Sequence, residues 1–255
     1  MSGSARRPIS GGQPSPLPAE ARRAPTEAEW AALDEAQRRQ VEEELWESDS
    51  VEQQEAEYKE AMAESERHLD AKVEARDTLR EFFRQQRPNL FIAAELPVYY
   101  PGQKPIRPDL IAVVDVDPYP RDGWLVTREG KGIDFALEIR YKGDWNKDFV
   151  HNVSAYAALG IQEYFAFDIL RRDLRGYRLR ARGGGYQPIR GPWGRLRSEV
   201  LGLDLVTEGS ELRFLLGNAE LLGGTRLLRK LESLYSDAAE RAEAEAQRAE
   251  VEAQR

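Results

Sequence analysis

The chain has 255 residues and a net charge of −8 at neutral pH, with 32% charged and 41% apolar residues and no cysteine. The lack of thiols excludes disulfides, thiolate catalysis and cysteine-based zinc sites. No apolar run approaches the ~20 residues that span a bilayer, and no apolar stretch follows the arginines of MSGSARRPIS to read as a secretory signal. The expected setting is cytoplasmic, with no membrane partner. The acidity lies in the flanks: residues 1–87 carry 13 Lys/Arg against 20 Asp/Glu, residues 88–217 carry 18 against 17, and residues 218–255 carry 6 against 8. Within the middle, residues 171–197 hold nine arginines and one acid, Asp173. The overall charge argues against a general nucleic-acid binder, yet one segment is strongly basic.

In chain order, residues 1–25 are rich in Pro, Ser, Gly, Ala and Arg and are expected to form a disordered tail. Thr26 and Glu29 make a T-x-x-E capping box that opens a helix to about Trp46. After ESDS, a second long helix should run from about Val51 to Gln86. Its first half is almost all polar and either projects into solvent or packs against another chain. Its second half places Leu69, Val73, Ala75, Leu79, Phe82 and Phe83 on about half the circumference, which should dock on a core. Arg76, inside that arc, can lay its stem along the apolar surface.

Beyond Pro88 the texture turns to strands. LFIAAELPVYY (90–100) reads as one strand and PDLIAVVDV (108–116) as a second. DPYPRDGW is a turn-rich loop, and GIDFALEI (132–139) is a third strand. KDFVHNVSAYAALG (147–160) has Phe149, Val150, Val153, Tyr156, Ala157 and Leu159 at helical spacing before a Gly stop. EYFAFDI (163–169) is a fourth strand, and short β segments follow in GYRLRA, GGYQPI, SEVLGLDL and LRFLL. The last segment, from about Gly223, is a charged, Ala-rich helix, a marginal one if isolated. The expected organisation is a tail (1–25), a helical extension (26–63), one central domain (64–217) and a charged helical tail (218–255).

Two carboxylates stand out. Asp109 opens a strand that is then fully apolar, Leu110 to Val114, and Glu138 closes another 29 residues later. A carboxylate entering a core is costly unless it is paired, protonated or metal-bound. If the two strands pair antiparallel, the start of one lies beside the end of the other and both carboxylates reach one sheet edge. Two hard oxygen ligands suit Mg²⁺ or Mn²⁺.

Pro108-Asp109, Glu138 within FALEI, a following helix and YAALGIQEYFAFD resemble the PD-(D/E)XK nuclease superfamily. Within it, RPDLIAVVDV, RDGW, EGKGIDFALEI, Asp148, LRGYRL and SEVLGLDL resemble the Uma family of putative restriction endonucleases, over roughly residues 64–216. The resemblance implies an α/β (α+β) fold: a restriction-endonuclease-like mixed sheet flanked by helices, here with long N- and C-terminal helical extensions. It also implies a DNA-cleaving hydrolase in which Asp109, Glu138 and the carbonyl of Ile139 ligate Mg²⁺ or Mn²⁺. Such sites use a lysine to orient water or stabilise charge. Here Arg140 stands two residues after Glu138, and Asn152 stands where the related family places its lysine on the helix. Lys142 and then Lys147 are the candidates to replace it.

Plainer readings stand beside these. Asp109 after a proline also fits a turn or cap, and Glu138 also fits a structural salt bridge with Arg140. Lys142 and Lys147 lie in a charged loop and equally suit solvation. Glu95 extends the acidic site or is a surface residue. His68 reads as a surface residue of the long helix, His151 as a neighbour able to compensate at Asn152, and Tyr156 and Tyr164 as packing residues. Arg178, Arg180 and Arg182 are candidates for phosphate contacts, since one face of their strand is charged and such contacts bind without reading bases; Arg140, beside Glu138, is a further candidate. The leading expectation is a Mg²⁺-dependent endonuclease acting on DNA, with a homodimer as a working assembly. The alternatives are a catalytically degenerate nuclease-fold module that binds nucleic acid or a protein partner, and a helical assembly protein.

Overall fold

The computed structural model describes residues 23–47, 66–142, 145–180 and 185–253. The expected tail through residue 22, the first half of the long helix and Arg182 fall outside them. The capping box forms as expected: Thr26 N–H donates to Glu29 Oε2 at 2.8 Å and Glu29 N–H to Thr26 Oγ1 at 3.3 Å, opening α1 (Glu27–Ala31). The helix does not run unbroken to Trp46. Asp34 and Gln37 form a second reciprocal cap, with both bonds at 2.9 Å, and start α2 (35–47). The second cap satisfies the backbone N–H groups that a fresh helix start exposes, so the chain can turn between the two.

The long helix is α3 (Glu66–Gln86). Its buried face differs from the expected one: Ala75, Leu79 and Phe83 are buried with Lys72 and Thr78, whereas Leu69 and Val73 are exposed. A polar site, described below, claims the N-terminal end of that face and turns the two apolar residues outward.

The first expected strand is two, β1 (Phe91–Ala94) and β2 (Val98–Tyr99), parted at Glu95, whose φ is +53°. Next come β3 (Leu110–Val113), β4 (Trp124–Leu125), the short α4 (Val126–Glu129) and β5 (Phe135–Arg140). The expected turn-rich loop thus contains a strand, β4, which pairs in parallel with β2. A π-helical turn, Lys147–His151, leads into α5 (Asn152–Ala158), and the chain leaves that helix through Gly160 at φ +78°. Then follow β6 (Glu163–Asp168), β7 (Asp173–Leu179), β8 (Tyr186–Pro188), β9 (Leu196–Ser198), β10 (Leu203–Glu208), β11 (Glu211–Leu216) and β12 (Ala219–Glu220). The last helix, α6 (Gly224–Ala253), is the expected charged one.

The main sheet has the order β1-β3-β5-β6-β7-β8 and is mixed: β5 and β6 are parallel and the other neighbours antiparallel. Alternation along β5 sends Phe135, Leu137 and Ile139 to one face and Ala136 and Glu138 to the other. The first face packs on α3 and on a second, antiparallel sheet, β12-β11-β10-β9, through Leu203, Leu205 and Phe214. The opposite face packs on Phe149 and Tyr156 of the π-turn and α5. The central sheet is therefore covered on both sides, and a carboxylate on β5 enters a desolvated layer.

The N-terminal helices dock on this body. Trp30 joins a cluster with Tyr99 and Leu125, and Trp46 packs edge-on against Tyr99 at 5.2 Å. A Cβ at Gly123 would lie 2.4 Å from the Trp46 ring, so the close approach requires glycine there. Among the described residues, no helix is long and apolar enough to cross a membrane.

Candidate active site

The antiparallel pairing of β3 and β5 sets Leu110 opposite Leu137, Ile111 opposite Ala136 and Ala112 opposite Phe135. One step further, Asp109 meets Glu138. Ile139 N–H donates to Asp109 Oδ2 at 2.6 Å, and Asp109 N–H reaches Glu138 Oε2 at 3.4 Å. Glu138 is buried at 8% exposure. Its Oε1 accepts from Tyr156 O–H at 2.7 Å and from Asn152 Nδ2 at 3.4 Å. The same Asn152 Nδ2 donates to Asp148 Oδ1 at 3.3 Å, so this amide bridges two carboxylates.

The electrostatics follow from this crowding. Burial pushes the Glu138 carboxyl well above the ordinary carboxylate range, the Asp109 charge pushes it further, and the Tyr156 hydrogen bond pulls back. Burial and the adjacent Glu138 charge likewise raise Tyr156, keeping its phenol protonated as a donor. Tyr164 packs edge-on against Tyr156 at 5.0 Å and donates to the Asp148 carbonyl at 2.7 Å. The two tyrosines pack as expected, and each also fixes a polar group of the site.

The helix α3 completes the arrangement with residues that the sequence reading placed elsewhere. His68 Nε2 donates to the Ile139 carbonyl and lies 3.8 Å from Asp109 Oδ2. Burial opposes charging His68, but the Asp109 contacts outweigh it and raise its pKa. One turn along, Lys72 Nζ is ion-paired with Glu95 Oε1 and lies 3.8 Å from Asp109 Oδ1. Positions four apart on a helix share a face. The usable signal was therefore the buried face itself: extended toward the N-terminus from Leu79 and Ala75, it runs onto Lys72 and His68. Glu95 joins the site from the break after β1. Its N–H donates to the Asp109 carbonyl at 3.2 Å, and its own carbonyl accepts from Arg107 at 2.7 Å. A non-glycine residue at positive φ costs on the order of 1 kcal/mol, and here it turns a carboxylate toward Lys72.

The remaining predicted residues divide. Arg140 pairs across strands with Asp168. Lys142 is exposed, 5.3 Å over the Tyr141 ring. Lys147 is exposed at the start of the π-turn, near enough for its charge to lower the Glu138 pKa in part. Arg178 holds Glu163 and Glu199. Arg180 is exposed at the end of β7. Arg175 and Arg171 lie over the Trp145 ring at 5.0 and 5.5 Å.

Asp109 and Glu138 carry oxygen donors of the kind a hard divalent cation takes, while the Ile139 carbonyl, the third expected ligand, already accepts from His68. Among the described residues, no group of three or more His, Asp or Glu side chains converges as a metal cage. An ion at Asp109 and Glu138 would thus keep much of its hydration, as Mg²⁺ does.

The sequence profile of the Uma2 family, described as "Putative restriction endonuclease", matches residues 51–213. A crystal structure described as a putative nuclease belonging to DUF820, from Anabaena variabilis, is similar over 55% of this chain and 75% of that one, at 14% identity and a TM-score of 0.43. No curated protein shows significant similarity to the chain.

Proposed function

The chain belongs to the Uma2 family, and from that membership and the site's geometry we propose a divalent-metal-dependent phosphodiesterase that cleaves DNA. The observation that carries the reading is the Asp109–Glu138 pair at the β3/β5 edge: two carboxylates pressed together, one of them buried. Mg²⁺ or Mn²⁺ bound there would neutralise phosphate charge and favour ionisation of water.

The chain's own residues do the rest. Ile139 N–H orients Asp109, and Tyr156 O–H fixes the Glu138 rotamer. In the hydrolysis itself, a water oxygen bonds to phosphorus while the bond from phosphorus to one sugar oxygen breaks. The water releases a proton to solvent, and the leaving oxyanion takes one up. Arg180 is exposed for a backbone phosphate. Arg140 and Arg178 act indirectly, by fixing Asp168 and Glu163. A cytoplasmic setting suits such a substrate, and a second copy would serve to cut the second strand.

Plasmid nicking with Mg²⁺ or Mn²⁺, beside calorimetric titration of the same ions, tests the reading. Wild type should bind and nick, and the Asp109→Ala/Glu138→Ala variant should do neither. Nicking that survives in the double variant would overturn it. One observation favours a second reading, a non-cleaving module that binds DNA or a partner protein: Asn152 places a neutral amide between Glu138 and Asp148. Salt-dependent DNA binding without nicking would select that reading.

A further inference from the structure

We propose that Lys72 is the cationic group of this site, stabilising charge at the phosphate, with Glu95 as the residue that holds its ammonium in place; this rests on the nuclease reading above. A phosphodiester brought to two carboxylates adds negative charge to a site that already carries it. A fixed cation in a water-poor layer is the effective remedy, because preorganised charge there needs no reorganisation during reaction.

The cations near the pair are few. His68 lies 3.8 Å from Asp109 Oδ2, but its Nε2 is committed to the Ile139 carbonyl. Arg140 is engaged by Asp168, whose side chain is fully buried. Lys142 and Lys147 are exposed on the loop after β5 and on the π-turn, where solvent screens them. Lys72 differs in each respect. Its side chain is only 5% exposed, and its ammonium is 3.8 Å from Asp109 Oδ1. It projects from the second turn of a 21-residue helix docked on the core, an anchored support that a loop lysine lacks. Lysine is almost never buried this far without a paired charge, and the paired charge here is unusual. Glu95 sits at φ +53° in the break between β1 and β2, tied by its N–H to the carbonyl of Asp109 itself. The helix, the strained turn and the acidic strand end therefore share one geometry. If Lys72 merely filled space, an apolar residue would serve the same core position without the cost of desolvating an ammonium.

The test uses the full chain. Lys72→Met keeps the stem and removes the charge, and Lys72→Gln takes its place if the methionine variant does not fold. Three readouts are taken: plasmid nicking, Mn²⁺ affinity by calorimetry, and melting temperature. The expected result is nicking slower by ~100-fold and a cooperative melt. Mn²⁺ affinity should be unchanged or up to ~threefold tighter, because a positive charge beside Asp109 has gone. Adding Asn152→Lys to the charge-removed variant should restore nicking by ~tenfold, since position 152 reaches the same pair from the opposite side, 3.4 Å from Glu138 Oε1. A purely structural lysine would not be rescued from there.

Wild-type nicking that is matched by the Lys72 variant overturns the proposal and leaves the nuclease reading standing. Loss of Mn²⁺ affinity together with nicking, and no rescue by Asn152→Lys, also overturns it, making Lys72 a support for Asp109. Wild type that binds Mn²⁺ through Glu138 and nicks nothing overturns both.

Discussion

Two buried glutamates on adjacent parallel strands make opposite use of the same chemistry. Glu163 opens β6 at one end of the sheet, and Glu138 lies at the other end of β5, opposite Ala166. Glu163 is 1% exposed and surrounded by donors: Arg178 Nε at 2.8 Å, the N–H groups of Glu199 and Val200 at 2.9 and 3.3 Å, and the Ser198 hydroxyl. These donors come from β7 and from the chain at β9, so the carboxylate ties the second sheet to the first. Glu138 is nearly as buried, yet it faces Asp109 and receives its closest bond from the neutral Tyr156 hydroxyl. Burial alone does not distinguish structure from function here; the sign of the surroundings does. A carboxylate met by cations and N–H groups is satisfied. One met by another carboxylate favours a proton or a metal ion.

Substitution should separate the two most sharply at Glu163. Glu163→Gln weakens several charge-assisted bonds at once and should lower stability by about 2–3 kcal/mol, with Arg178 still paired to Glu199. Denaturant unfolding measures it, and an unchanged midpoint would mean that the two glutamates are not different in kind. Ser198→Ala should cost less, about 1–2 kcal/mol, for one charge-assisted bond on Glu163.

Glu138→Gln should have the opposite sign, stabilising the metal-free protein by about 1 kcal/mol, because the amide still accepts from Tyr156 without a buried charge. This effect depends on pH. The folded-state pKa of Glu138 lies above its ordinary 4.5. Its contribution is therefore fully present below 4.5 and is lost as pH rises through the folded value. The gain from Glu138→Gln should be absent at acid pH and emerge toward neutrality, and melting scans of both proteins across that range would show it. Saturating Mn²⁺ should abolish the advantage by stabilising wild type alone.

The smallest effect falls on a third glutamate. Glu29 is exposed, and its bonds to Arg23 and Thr26 lower its pKa to about 2. Its support for α1 is present above the ordinary 4.5 and should fade as pH falls toward 2. Tryptophan fluorescence from Trp30 would report that fraying well before the sheet unfolds.

Much of the site is legible in the sequence. Asp109 and Glu138 stand at the ends of two apolar strands, and antiparallel pairing brings them together. The main strands are legible too, but not their number: residues 90–100 form two strands, SEVLGLDL spans parts of two, and β4 and β12 were not expected. The break at Glu95 was not legible, because LFIAAELPVYY has strand-like composition throughout and only its neighbours force the positive φ. His68 and Lys72 were missed for a related reason. Leu69 and Val73 are the apolar residues at that end of α3 and pull the expected face toward themselves, although the heptad-like spacing from Leu79 and Ala75 runs onto Lys72 and His68. Arg140 and Arg178 looked available to a ligand because their partners, Asp168 and Glu163, lie 28 and 15 residues away.

The sequence by itself determined most local elements, the first cap and the helical tail, since each depends on periodicity or on neighbours within a turn; it offered the apposition of two acidic strand ends only on condition that their strands pair antiparallel. Only the tertiary structure decided which charges meet. The docking rotation of α3 brings Lys72 to Asp109, and the second sheet's approach encloses Glu163 in donors. Those outcomes depend on how whole faces pack, and electrostatic pairing is set by distances between segments that the chain order leaves open.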